Sequence, residues 1–269
     1  MRQCVRWGAL FLAACFAVFM TACTKPEAPP STSSPADEKQ PQETDVLTRY
    51  EEALKAWAEA SAKDSTVELT MTTMFEGVNL TIQRQLHMRT DGQRFQLDIA
   101  AKQLEEETAL SFYYDGGWFY LDDGQVPVKM QVGMEEATEA ARHFGYFAFV
   151  EPDVSQLTEV KPTEEKNGLT ARFPGIQLKS LVEEIFQSEQ VEPEGLDLLF
   201  SDAAYRVLLD GDGGLLSREV SAEVNVQLKE RSDWRITLKE TVEGSGADVQ
   251  IVLPENAGDF VEYDPNAGV

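Results

Sequence analysis

Residues 216–229 read LSREVSAEVNVQLK, and in this run Leu216, Val220, Ala222, Val224, Val226 and Leu228 alternate with Ser217, Glu219, Ser221, Glu223, Asn225, Gln227 and Lys229. Side chains of a strand alternate between its two faces, so a period of two over this length predicts a long strand with one dry and one wet face. The alternation continues in Trp234, Ile236 and Leu238 and again in Val249, Ile251 and Leu253, and a DGDGG turn at Asp210–Gly214 joins the run to an earlier strand at Tyr205–Leu209. The end of the chain is therefore predicted to be a meander of antiparallel strands.

The first half repeats the pattern. Val67, Leu69, Met71, Thr73 and Phe75 alternate with Glu68, Thr70, Thr72 and Met74. After a turn at Glu76–Asn79, Leu80, Ile82, Arg84, Leu86 and Met88 do the same, and Asp91-Gly92 leads into Phe95, Leu97 and Ile99. With this register Val224 and Leu97 point inward, whereas Asn225 and Gln96 face water. The segment Thr108–Asp123 (TALSFYYDGGWFYLDD) is apolar on both faces, which predicts a hairpin near the middle of a sheet. Three helices accompany the strands. One precedes them, with Val46, Leu47, Tyr50, Leu54 and Trp57 at helical spacing; the others are predicted over Gly133–Phe144 and Ile176–Gln190. Another strand, Leu169–Phe173, lies between the last two. Nine or ten strands in two blocks with helices between them satisfy one core as an α+β fold: a strongly curved antiparallel β-sheet, a half-barrel, with helices covering its concave face.

The N-terminus carries a different message. Arg2 and Arg6 precede an apolar run over Gly8–Met20, which is shorter than the roughly 20 residues of a spanning helix and is followed at once by polar sequence. This is the pattern of a cleaved export signal. Met20-Thr21-Ala22-Cys23 resembles the lipobox of bacterial lipoproteins, with Met where Leu is usual. The resemblance implies cleavage after Ala22 and a diacylglycerol on Cys23, its acyl chains (palmitate in such anchors) holding the protein to the membrane. An ordinary secretory signal with an incidental cysteine is the alternative. Residues 1–22 then form the signal peptide, 23–43 the lipidated Cys and a disordered tether rich in Pro, Ser, Thr, Glu and Gln, and 44–269 a single domain. The expected location is the extracytoplasmic face of the cell membrane.

Charge excludes several classes. The formal charge is −24, with 47 acidic against 23 basic residues. That balance argues against nucleic acid, whose binding rests on Lys and Arg, and against docking on anionic lipid without an anchor. Cys4 and Cys15 lie in the signal and Cys23 takes the lipid, so no cysteine pair remains. Catalytic and metal-binding patterns are not found in the sequence: there is no HExxH, GxSxG, paired-cysteine or phosphate loop. Asp210–Gly214 has Gly at the fifth position and Ser221 at the twelfth of a calcium-loop pattern, so two oxygen ligands are missing and a type I′ hairpin turn explains it better. His87 and His143 read as surface residues. No enzyme activity, metal or cofactor is expected.

The order of lipobox, tether, leading helix, a meander turning at Tyr114–Tyr120 and long closing strands ending in Ile251-Val252-Leu253-Pro254 resembles the LolA, LolB and LppX/LprG group of lipoprotein carriers and lipid-binding lipoproteins. It is more similar still to the uncharacterised lipoproteins of Firmicutes that share their fold. The resemblance covers residues 45–263 and implies a cavity for acyl chains between the half-barrel and its helices. On this reading the protein binds a lipid or another apolar ligand, with Phe147, Phe149, Leu181, Ile185 and Phe186 as candidate lining residues. The same residues could instead fill a dry core. A non-catalytic tethered module that contacts another envelope protein and takes no small ligand is the alternative function.

Overall fold

The computed structural model describes residues 41–75, 78–103, 106–163, 167–188, 197–227 and 231–263. Cys23, the signal and most of the expected tether lie outside the described residues. The first helix, α1 (Pro41–Glu59), opens on a proline, whose fixed φ and missing N–H suit the first helical position. Its Tyr50 and Ala53 are buried, and Val46, Leu47, Leu54 and Trp57 are packed alongside, the stripe that the helical spacing predicts. Among the described residues no helix is long and apolar enough to cross a membrane.

Six strands follow: β1 (Lys63–Phe75), β2 (Val78–Thr90), β3 (Phe95–Gln103), β4 (Glu106–Asp115), β5 (Trp118–Asp122) and β6 (Val128–Gln131). Helix α2 (Met134–His143) comes next, with Glu136 accepting from the Gly133 N–H at its start and Arg142 in its last turn, each charge on the favourable end of the helix dipole. Then come β7 (Thr158–Pro162), β8 (Gly168–Phe173), helix α3 (Lys179–Ser188), β9 (Asp197–Phe200), β10 (Ala203–Leu209), β11 (Leu215–Gln227), β12 (Arg231–Ser245) and β13 (Val261–Glu262). The strands form one open sheet in the order β13-β6-β5-β4-β3-β2-β1-β12-β11-β10-β8-β7, with β9 pairing the far end of β11. The two halves of the chain meet where β1 pairs with β12.

The register places Val67, Leu69 and Met71 of β1 beside Leu86 and Ile82 of β2 and opposite Leu238 and Ile236 of β12. With Leu97, Phe112, Phe119, Val220 and Val224 they form one face of the sheet, which shares a single apolar core with Tyr50, Ala137, Ala141, Leu181 and Ile185 from the three helices. The protein is therefore α+β, as expected, with its helices on the buried face.

Several expectations change. The sheet has 13 strands among the described residues, and β13 runs parallel to β6, so it is mixed. The Thr108–Asp123 hairpin forms β4 and β5 but lies near one edge of the sheet. It is apolar on both faces because Phe260, buried in the C-terminal segment, stands edge-on to Tyr120 with ring centroids 5.5 Å apart, on the face opposite the core. Residues 249–253 form no strand. Both flanks of β12 are occupied, by β1 and β11, and Gly246, at φ 79° with its N–H on the Ala62 carbonyl, turns the chain away. The loop after Leu209 holds five residues with only Gly213 at positive φ, and Asp210 Oδ1 accepts from the N–H groups of Asp212 and Gly214, so it is not a type I′ turn. A register shift there buries Leu215 and leaves Leu216 exposed. Val224 and Leu97 are buried as expected, and Asn225 is too: its Nδ2 donates to Asp233, its cross-strand neighbour on the outer face.

Candidate functional site

The buried face of the sheet is not wholly apolar. Arg218 of β11 and Glu240 of β12 occupy inward positions, 7% and 5% exposed, and Arg218 Nε donates to Glu240 Oε2 at 2.5 Å. Such a pair persists in a core only when its remaining donors are satisfied. Glu151 completes it: Oε2 of Glu151 is ion-paired with Nη1 of Arg218, while its Oε1 accepts from the hydroxyls of Tyr50 at 2.6 Å and Tyr205 at 3.3 Å. The phenol oxygens also lie 2.7 Å apart, and since each phenol carries one proton, the Tyr205 hydrogen is shared between Tyr50 and Glu151. Helix α1 and strands β10 and β11 thus converge on one carboxylate of the connection after α2, and β12 supplies a second carboxylate to the same guanidinium. Burial pushes the Tyr50 hydroxyl up to about 12 and the Tyr205 hydroxyl further up, so both phenols stay protonated and can donate.

Glu151 belongs to residues 144–152, which adopt no regular secondary structure. This strap crosses the buried face. At one end Gly145, at φ 97°, lies against the guanidinium of Arg84 of β2, another buried cation; a Cβ there would come within 2.8 Å of Nη1. Further along, Phe147 enters the core, and the Phe149 ring sits 4.3 Å from the Arg218 guanidinium, a cation–π contact. Between β2 and β11 in the sheet lie β1 and β12, so the strap spans the four central strands.

The five residues singled out from the sequence all pack in or against the core. Leu181, Ile185 and Phe186 share one side of α3, and Phe186 meets Trp234 of β12 edge-on, centroids 6.3 Å apart. Phe147 and Phe149 lie on the strap. The structure brings only Phe149 to the polar cluster. A cavity of about 30 Å³ lies beside Tyr50, lined by Val46, Leu169, Val207 and Leu209 among others, and two open grooves of about 360 and 720 Å³ lie over β7, β8, β10 and β11 and over the end of β1, β9, β11 and β12. None of the five lines these three.

Sequence reading missed Arg218, Glu240 and Glu151. The signal for the first two is a charge at an inward position of a strand: Arg218 precedes Val220 by two, and Glu240 follows Leu238 by two. His87 is on the outer face with Nε2 at 2.7 Å from Asp64, and His143 is exposed. Among the described residues no group of three or more His, Cys, Asp and Glu is placed to hold a metal.

No family model and no curated protein matches the chain. Comparison with solved structures gives distant similarity to lipovitellin, from a study of its lipid–protein interactions, at 10% identity and TM-score 0.30 over 72% of this chain, which spans 26% of that one. The ywiB protein of Bacillus subtilis is similar at 6% identity and TM-score 0.21, over 71% of this chain and 99% of its own. A DUF1329 family protein of Desulfovibrio piger is similar at 13% identity and TM-score 0.25, over 77% and 95%. At these scores the likenesses assign no function.

Proposed function

We propose that the protein is an extracytoplasmic lipoprotein, anchored through Cys23, that holds a lipid or another apolar molecule on the helix-covered face of a curved, half-barrel sheet. What carries this reading is the strap. Beside α1 and α3, irregular chain crosses the apolar face over its four central strands, and the ion pair of Arg218 with Glu151 helps to hold it there. Irregular segments open at lower free energy than packed helices or central strands, so this is where the face can be uncovered for a ligand. Native mass spectrometry of protein purified without detergent tests it: a co-purifying apolar molecule is expected, and an adduct-free protein that takes up no fluorescent fatty-acid probe would reject it. Replacing Cys23 by Ser should move the protein from washed membranes to the soluble envelope or medium, because the acidic remainder is not attracted to anionic headgroups; retention would refute the anchor.

The tethered interaction module is the second reading, and the filling of the interior favours it. Leu181, Ile185 and Phe147 are as buried as the sheet residues of the same core. If Phe186→Ala costs the ~3–5 kcal/mol of a packed core aromatic and the wild type takes up no probe, the module is preferred.

A further inference from the structure

We propose that Arg218, Tyr50 and Tyr205 form a receptor for the carboxylate of a fatty acid, and that Glu151 occupies it when no ligand is bound. The inference rests on the apolar-ligand reading above and names the headgroup that reading leaves open.

The donors converge as a carboxylate requires. One oxygen of Glu151 takes the Arg218 guanidinium, and the other takes the Tyr50 hydroxyl at 2.6 Å, with the Tyr205 hydroxyl backing Tyr50 and 3.3 Å from the same oxygen. Arg218, Tyr50 and Tyr205 are buried, whereas the Glu151 side chain is 39% exposed. The receptor is thus built into the core and its occupant stands at the rim. The charge of Arg218 is already matched by Glu240, so Glu151 is a second carboxylate on one guanidinium, and the first stays when it leaves. A free carboxylate that replaces Glu151 restores every bond it made. An alcohol or ester can accept the same hydrogen bonds only as a neutral group, and charge-assisted bonds are roughly twice as strong.

Exchange also makes room for a chain. Phe149, two residues before Glu151, covers the Arg218 guanidinium. Release of Glu151 frees that stretch of the strap, and lifting Phe149 bares the apolar face beside Arg218, where Val220 and Leu238 are fully buried. The acyl chain takes the place of the strap, and the headgroup takes the place of its carboxylate.

The test uses the full mature chain with Cys23→Ser, titrated with dodecanoate and with dodecanol and followed by tryptophan fluorescence. Dodecanoate should bind about tenfold more tightly than dodecanol, the ratio that one charge-assisted bond supplies. Glu151→Ala removes the internal competitor and loosens the strap, so dodecanoate should bind at least about tenfold more tightly still, while dodecanol, which gains only from the loosened strap, should gain less. Sodium formate should raise the Tm of Glu151→Ala and leave the parent unmoved. Should that variant fail to fold, Glu151→Gln keeps the shape and loses the charge, and must likewise tighten dodecanoate binding. Equal binding of acid and alcohol, unaffected at position 151, overturns this inference and leaves the apolar-ligand reading standing. Binding of neither ligand by either protein overturns both. Formate stabilisation without dodecanoate binding reduces the cluster to a structural latch and also overturns the inference.

Discussion

Arg218 and Glu240 stand directly opposite each other on neighbouring strands, both buried, with Nε and Oε2 2.5 Å apart. A charge pair in this position contributes little net stability when intact, and removing one partner strands the other in the core. Arg218 keeps Glu151 when Glu240 goes, but Glu240 loses its cation when Arg218 goes, so Arg218→Met is expected to cost about 3–5 kcal/mol in denaturant unfolding. The double change Arg218→Met, Glu240→Leu should recover much of that loss, since it leaves no buried charge on either strand. A single change as mild as a surface substitution would show that the pair is hydrated.

Alkaline pH should act through the tyrosines. Burial holds the Tyr50 hydroxyl up to about 12, above its ordinary 10.0, and the Tyr205 hydroxyl higher. The unfolded chain loses these protons near pH 10 while the folded chain keeps them. The contribution of Tyr50 is thus complete below pH 10 and lost as pH rises towards 12, at up to about 1.4 kcal/mol per pH unit. Unfolding free energies measured from pH 8 to 12 should fall across that window, and Tyr50→Phe should flatten the fall.

Gly145 has a conformational and a steric reason to be glycine. At φ 97°, and with the Arg84 guanidinium 2.8 Å from where a Cβ would stand, Gly145→Ala should cost about 1–3 kcal/mol. Gly92 is the control: it has a similar φ of 79° but nothing within 4 Å of a Cβ, so Gly92→Ala carries the backbone cost alone. Equal losses would mean that the strap yields at Arg84.

The register of β11 is open to a paired test. Val224→Asp buries a carboxylate on the core face and should be severely destabilising, by several kcal/mol. Asn225→Asp should also destabilise, by about 1–3 kcal/mol, because it replaces the amide that donates to Asp233 with a second acceptor. Chemical denaturation of both variants checks the order. A harmless Asn225→Asp would place Asn225 in water after all.

What could be read from the sequence was whatever had a period. The alternation in β1, β2, β3 and β11 and the helical stripes of α1, α2 and α3 each correspond to an element that buries one face. Strand β7 has no such pattern: it holds Pro162, its Glu159 has φ 51°, and it pairs only with β8 at the edge of the sheet. Residues 249–253 show the reverse, an alternating run that follows a strand whose two flanks are already paired, with β1 and β11. The site was hidden for a related reason. Arg218 and Glu240 break the inward pattern of two strands, but each looks like an isolated exception until the β11–β12 register sets them side by side. Glu151 lies in irregular chain, where no period marks which residue turns inward.

The pairing of β1 with β12 has a bearing on how the chain comes to be folded. Residues 63–73 find their partners at 234–245, so one long flank of β1 stays open until β12 has been made. Helix α1 likewise waits for β7, β8, β10 and β11, the strands on which it packs. Contacts so remote in sequence carry a large loop-closure cost and form slowly. During synthesis the first half is a meander with an unpaired edge, competent to pair with another copy of itself. Keeping nascent chains apart until residue 245 is available is thus a demand that this topology places on the cell.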